Sequence, residues 1–393
     1  MYDDEEEPSA GRMVVLDVAG SEVDRSLVLE AGVPASGGVF TLRAFQGGVL
    51  AGINSIVQLF TWKASADGGT LVAGPHHKGH ILALHLATRG HFVLVGDLMK
   101  SMTVLAYNDG EDGATLTEIA RDPAANWMTA VAIVDDNTFL GAENSYNLLM
   151  CKKATTQLAE EDHSRLLTTG AFHLGEFVNC IRHGSMVMDP TASKGTAASD
   201  DMDTSEDSTS PAGAGAGAGA GSGSGAGAGS APSTAALAAK VGTAVTKPKP
   251  ILVFGTVNGA LGVVASLPPA DFDFLTRVQA AMAKCVPGVG GFSHGDWRAF
   301  RNERLPEPVP ATGFIDGDLV ETFLDLDAYV AMPTRAAALR AAPADVMRCC
   351  YDRCSTKMAA VVRAINDDGK GSDGGDVTTE SLMRLVEDLV RLH

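Results

Sequence analysis

Positive charge is scarce in this chain relative to negative. Against 48 Asp and Glu stand 30 Lys and Arg, for a formal net charge of −18. That balance argues against non-specific binding to nucleic acid or to an anionic membrane, both of which need a positive field. Aromatic residues make up only 6%, and no aromatic–basic stripe of the kind that stacks single-stranded nucleic acid is found. No run of 18 apolar residues occurs, so no segment is expected to cross a bilayer. The first residues, Met1 to Pro8, are acidic and lack the basic and apolar parts of a signal peptide. Six cysteines in 393 residues are too few for a disulfide framework. Cys151, Cys180 and Cys285 stand in apolar sequence as buried thiols, which points to a reducing compartment, cytosol or nucleus.

Catalytic signatures are also lacking. There is no Gly-Lys-Ser/Thr phosphate loop, no Gly-x-Ser-x-Gly elbow and no His-Glu-x-x-His helix. Cys349, Cys350 and Cys354 have no second ligand pair at zinc spacing. Asn366-Asp367-Asp368-Gly369 lacks the first acid of a calcium loop and has Gly375 where the bidentate Glu belongs, so it reads as a turn. His76, His77 and His80 read as a solvated loop rather than a metal site. The expectation is a non-enzyme without metal or cofactor.

What the chain does have is a repeat. Leu50-Ala51-Gly52-Ile53-Asn54-Ser55, Leu94-Val95-Gly96-Asp97-Leu98-Met99 and Phe139-Leu140-Gly141-Ala142-Glu143-Asn144-Ser145 share one pattern: apolar residues, a glycine, then a polar turn. The glycines lie 44 and 45 residues apart, and a fourth copy, around Gly255, follows 114 residues later. Short strands at a period near 45 are the mark of β-propeller blades. Val39–Phe45, Val49–Ile53 and Ile56–Trp62 make the strands of the first copy. Ile81–Leu86, Phe92–Val95 and Met102–Tyr107 follow in the second, and Met128–Val134, Phe139–Leu140 and Tyr146–Cys151 in the third. Continuous apolar strands fit sheets covered on both faces. Residues 1–269 are thus expected to form a partial β-propeller.

Residues 189–249 break the pattern with an acidic Ser/Thr stretch and an Ala-Gly-Ser repeat. Such composition cannot bury enough apolar surface to offset its ordering entropy, and predicts a flexible loop within one blade. After Ser266 the pattern becomes helical. Phe274, Leu275, Val278, Met282 and Cys285 define a helix over 271–285, and Leu382, Leu385, Val386, Leu389 and Leu392 define another. Residues 270–393 are therefore expected to be a small α-helical domain. Within it, Gly313-Phe314-Ile315-Asp316-Gly317-Asp318-Leu319 reads as a joint where a helix docks on the propeller rim, with Asp318 as the helix cap and Glu321 three residues on.

Several of these stretches are long enough to identify a family. Val95-Gly96-Asp97-Leu98-Met99-Lys100-Ser101, Ile119-Ala120-Arg121-Asp122, Asn126-Trp127-Met128, Phe139 to Asn144, Phe172 to Asn179, Phe254 to Gly259 and Ala311 to Leu319 resemble the family of the UV-damaged DNA-binding large subunit. That family is shared with the A subunit of the cleavage-and-polyadenylation factor and a splicing-factor subunit. The resemblance covers about residues 2–188, 250–325 and 357–393. It implies a scaffold of three seven-bladed propellers and a C-terminal helical domain. This chain matches most of the third propeller plus that domain, and its roughly four to five blades read as a fragment, a partial, open propeller of the seven-bladed type.

The resemblance also implies a non-catalytic adaptor of a cullin-four ubiquitin ligase. Propeller-type substrate receptors would insert a helix into a pocket on it, damaged DNA would be met only through a partner subunit, and the protein would work in the nucleus and also the cytoplasm. Ile81, Leu82 and Leu84 resemble the apolar floor of the receptor pocket, and Arg121, Trp127 and Asn179 its rim. Lys100 stands for the family arginine, and Phe40 and His85 for tyrosines. For Trp127, packing between blades is the competing reading. The alternative function is a nucleic-acid-binding subunit of an RNA-processing complex, which the acidic balance disfavours. Residues 326–356 interrupt the family pattern, either as a tolerated loop or as a translated intron.

Deleting residues 190–248 is expected to leave the thermal unfolding midpoint nearly unchanged. A fall of more than about 5 °C, roughly 1 kcal/mol for a small domain, would show that the insert packs.

Overall fold

Four apolar strands in sequence, joined by tight turns, give an antiparallel meander, and the chain repeats that unit. The computed structural model describes residues 7–20, 24–65, 68–111, 113–154, 164–186, 251–286, 288–326, 355–368 and 377–391. The expectations for residues 189–249 and for nearly all of 326–356, including Cys349, Cys350 and Cys354, lie outside them. A hairpin of β1 (Gly11–Gly20) and β2 (Arg25–Ala35) comes first. Three four-stranded sheets follow: β3 (Val39–Phe45), β4 (Gly48–Ile53), β5 (Ile56–Ser65) and β6 (Gly68–Lys78); then β7 (Ala83–Arg89), β8 (Phe92–Asp97), β9 (Met102–Gly110) and β10 (Gly113–Arg121); then β11 (Met128–Ile133), β12 (Thr138–Glu143), β13 (Asn147–Lys153) and β14 (Leu166–His173). A fourth sheet has three strands, β15 (Val178–His183), β16 (Ile251–Thr256) and β17 (Leu261–Ala265). The protein is mainly β, with four blades of a propeller and few helices.

The blades pack through their first strands, β3 on β7, β7 on β11 and β11 on β15, and through outer strands β2 on β6 and β6 on β10. The core therefore lies between blades. Phe45, Leu50 and Val57 meet Leu86, Val93 and Leu105 in one cluster. Leu94, Met102 and Val104 meet Met128, Val131 and Phe139 in the next. Leu140 and Leu148 meet Val178, Ile181, Leu252 and Phe254 in the third. The repeated glycine is what permits this approach. A Cβ on Gly52 would stand 2.5 Å from the Ala83 carbonyl of the next blade, and one on Gly96 2.8 Å from Val131 Cγ1. At Gly255, in the last blade, the nearest atom to such a Cβ is 3.8 Å away and belongs to Leu261 of the same sheet. The ends of the arc stay bare. Val14, Leu16, Val18, Leu27 and Leu29 on the first hairpin are 47–67% exposed, and Leu261 is 69% exposed.

Cys151 is buried, and burial pushes its thiol up to about 12; Cys180 and Cys285 are only half-buried. No helix among the described residues is long and apolar enough to cross a membrane.

The segment after β17 belongs to the same compact unit as the blades, up to Thr322. Helix α1 (Pro269–Cys285) begins on Pro268-Pro269 and buries Phe274, Leu275, Val278, Ala281 and Met282. The short helices α2 (His294–Arg298) and α3 (Gly317–Glu321) follow. Residues 312–314 dock on the edge of β14. Ala171 and Thr312 exchange two backbone hydrogen bonds of 2.9 Å, and Phe314 packs on Phe172 at 5.6 Å between ring centroids. Gly313 has φ +71 and stands so close to Thr169 that a Cβ would lie 2.4 Å from its carbonyl oxygen. The joint expected from the sequence is thus present, but its cap is Asp316, not Asp318: the Asp316 carboxylate accepts from Leu319 N–H. Asp318 lies two residues later, inside the first turn of the helix.

In the second compact unit, α4 (Ser355–Asp368) buries Met358, Val361, Val362 and Ile365, and α5 (Thr379–Val390) buries Leu382 and Val386. Asn366 and Asp367, expected in a turn, lie in the last turn of α4. There Asn366 bonds both the N–H and the carbonyl of Val377 and so ties α4 to the start of α5. The α5 cap is a reciprocal pair of Thr378 and Ser381.

Asp316 carries more than the helix cap. Arg298 Nε at 2.6 Å and His294 Nε2 at 2.8 Å both point to its Oδ2. Burial alone raises the carboxyl's pKa, but the bonds from His294 and Arg298 outweigh it and hold the group below its usual 3.8. A depressed carboxyl adds stability that is complete above the unfolded value and lost as pH falls through the folded one. The unfolding midpoint should therefore drop on acidification below about pH 4. Asp316→Asn should remove that part of the slope and cost about 3 kcal/mol at pH 7, because Arg298 is left buried without its counter-charge. Thermal melts of both proteins from pH 2.5 to 7 measure this; equal slopes would refute it.

Candidate interaction face

In an antiparallel meander the turns entering the first strand and those joining the second to the third fall at the same end of the blade. Here these are the turns around residues 37, 80, 125 and 175 and around residues 54, 100, 145 and 258. The nine residues expected at a partner pocket all lie on these turns, on the first two or three residues of an inner strand, or, for Arg121, at the end of β10. The structure thus gathers Phe40, Ile81, Leu82, Leu84, His85, Lys100, Arg121, Trp127 and Asn179 at the same end of the four blades.

A repeated irregularity helps to put them there. Each inner strand has a register shift at its second residue: between Val39 and Thr41, Ala83 and His85, Met128 and Ala130, and Val178 and Cys180. The bulged residues are Phe40, Leu84, Thr129 and Asn179. A bulge removes a residue from the ladder and re-aims its side chain, so one side chain per blade is turned aside at equivalent height. Three of the four are residues that the sequence singles out. Thr129 is the one it misses; its hydroxyl donates to the Val178 carbonyl at 2.6 Å and links the third and fourth blades. Phe40 and Asn179 are exposed, and Leu84 is half-buried.

Buried carboxylates hold the turns from beneath. Asp97, 4% exposed, accepts from Ile81 N–H at 2.9 Å through one oxygen and from Met99 and Lys100 N–H at 2.9 and 3.0 Å through the other. It thereby sets Ile81 beside Lys100. Asp122 accepts from the Ser101 hydroxyl at 2.5 Å and from Ala124 N–H at 3.1 Å. Ser101 N–H in turn donates to the Asn126 carbonyl at 2.9 Å, so the Lys100 turn is joined to the chain entering Trp127. The turn residues Asn54, Ser101 and Tyr146 all have positive φ, of 48, 58 and 66, a left-handed geometry that is rare for residues with a side chain.

The rest of the set is placed as follows. His85 hydrogen-bonds the Met128 backbone; burial holds its pKa below the usual value although that bond works the other way. Leu82 offers its carbonyl to Leu98 N–H at 3.0 Å. Arg121 is exposed, 3.1 Å from Glu118 Oε1 and 3.2 Å from His80 Nε2. Lys100 is exposed and makes no ion pair among the described residues. His76 and His77 lie on β6 rather than in a loop, and His77 Nε2 stands 3.8 Å from Glu118. No group of His, Cys, Asp or Glu among the described residues is arranged to hold a metal. Trp127 is half-buried, with the Arg304 guanidinium 5.0 Å from its ring centroid. Arg304 has no signal in local sequence, since it meets Trp127 only through the fold.

These features define a class: a β-propeller whose turns at one end of the blades are pinned by buried carboxylates. The sequence profile of the CPSF A subunit region matches residues 1–325, and the chain belongs to that family. It is 36% identical over 393 residues to DNA damage-binding protein 1 of Solanum lycopersicum, and 37% identical over 391 and 392 residues to DNA damage-binding protein 1a of Arabidopsis thaliana and DNA damage-binding protein 1 of Oryza sativa subsp. japonica. Each match takes in 99% of this chain and 27% of the relative, so the chain spans about a quarter of their length.

Asp97→Ala should cost about 3 kcal/mol, because three backbone N–H groups lose a charged acceptor. Chemical denaturation measures it, and a loss under about 1 kcal/mol would show that these turns hold without the carboxylate.

Proposed function

We propose that the chain is the receptor-docking part of a non-catalytic adaptor of a cullin-four ubiquitin ligase, working in DNA-damage repair and protein turnover in the nucleus and cytoplasm. What supports this is the gathering of nine dispersed residues at the same end of the four blades. Three inner-strand bulges and the buried Asp97 help to set them. A helix laid across such an end would find apolar anchors in Ile81, Leu82 and Leu84, and polar groups in Arg121, Lys100 and Asn179. Lys100 keeps a charge there but offers no bidentate fork. The chemistry favours a helical peptide over nucleic acid, since the chain is strongly acidic and, of the two cations in the set, Arg121 is already paired with Glu118. Damaged DNA would be reached through a partner subunit.

The test places this chain's sequence in a scaffold of full family length and measures binding of a receptor's docking helix. Trp127→Ala should weaken it by about 2 kcal/mol, the scale of a buried aromatic anchor, and Arg121→Ala should act in the same direction. The folding midpoint is measured on the same variants, because a tryptophan that only packs between blades would lower stability and spare affinity. Normal helix affinity in folded Trp127→Ala would overturn the reading. So would sub-micromolar binding of bare DNA or RNA at physiological salt, which would favour an RNA-processing subunit instead.

A further inference from the structure

Arg304 reaches Trp127 from far along the chain, and a set of buried groups holds it there. Its Nη2 donates to Glu143 Oε2 at 3.2 Å and to Asn144 Oδ1 at 3.3 Å. Asn144 N–H in turn donates to the Trp127 carbonyl at 3.0 Å. The Glu143 side chain has no exposure at all, and it accepts from Asn147 Nδ2, which also donates to the Arg301 carbonyl at 2.7 Å. The turn after β12 thus grips the Arg304 fork and the backbone at Trp127 together.

One observation sets this arginine apart. Arg304 Nε is the single buried side-chain nitrogen or oxygen without a hydrogen-bond partner among the described residues. Leaving a buried donor unpaired is unfavourable, and such a group in a native fold calls for an explanation. The guanidinium would satisfy all its donors by turning toward water. It lies against the indole instead, where a planar cation stacks well.

We infer that Arg304 is a positioning residue for Trp127: its guanidinium, fixed by Glu143 and Asn144, holds the indole in the one orientation that a partner meets. This rests on the reading of Trp127 as a partner anchor given above. An indole already fixed loses less rotamer freedom on binding than a free one. The gain is in affinity rather than in stability.

The experiment uses the full chain with Trp62→Phe and Trp297→Phe, so that Trp127 is the sole emitter. Arg304→Met keeps the stem and removes the fork. Acrylamide quenching of Trp127 should rise by about twofold once the stacked cation no longer shields the ring. In the full-length scaffold, affinity for the receptor's docking helix should fall about fivefold, the cost of one newly mobile side chain. Arg304→Lys should recover part of both, since an ammonium can sit over the ring without gripping Glu143 and Asn144 together. Unchanged quenching in folded Arg304→Met would overturn the inference. Should that variant fail to fold, Asn144→Ala removes one anchor of the fork and should raise quenching to a smaller extent; no rise there would also overturn it. Quenching involves no partner, so its outcome is separate from Trp127→Ala binding, which tests the anchor reading.

Discussion

Close approach of one blade to the next is the constraint on which this structure depends. Each sheet is apolar on both faces and has no stable existence uncovered, so its neighbour is its solvent. The approach is limited by the second strand, where the repeated glycine stands. At Gly52 and Gly96 even a methyl group would strike the following blade within 3 Å. The glycine repeat and the interblade cores are therefore one fact seen twice. On the first hairpin, by contrast, Val14, Leu16, Val18, Leu27 and Leu29 are exposed.

Polar groups do a different task. They do not hold blades together so much as fix the turns at one end. Asp97, Asp122 and Glu143 are buried carboxylates on or beside equivalent turns, each accepting from backbone or side-chain donors. Burial raises the Glu143 carboxyl's pKa above the usual range, against the pull of Asn147 and Arg304. A charged group kept in so dry a place has to be matched closely, and here Asp97 and Asp122 are matched by the donors of the turns themselves. A surface fixed in this way loses little entropy when something binds to it.

Much of this was legible in the sequence, for a physical reason. Strand periodicity and a glycine at constant spacing are local signals, and they located three blades and most of a fourth. The nine residues named by resemblance lie at the same end of the blades because turn positions follow from the meander itself. What escaped was what depends on distant meetings. Thr129 is a bulged residue, and bulges do not show in hydropathy. Arg304 looks like any surface arginine until the chain folds back on the third blade. The cap at Asp316 was read two residues late because Asp318 also precedes an apolar stripe. Only the structure shows which carboxylate faces Arg298 and His294.

The edge of β14 is paired at Ala171 by Thr312, which the ribosome delivers much later. Hairpins within a blade are local and form quickly, whereas contacts between distant segments wait for chain length. During synthesis the third blade would stand with the outer edge of β14 unpaired until Thr312 and Phe314 had emerged. An unpaired edge invites other strands. Synthesis rate and chaperone access over that interval thus bear on yield of the folded protein, independently of its final stability.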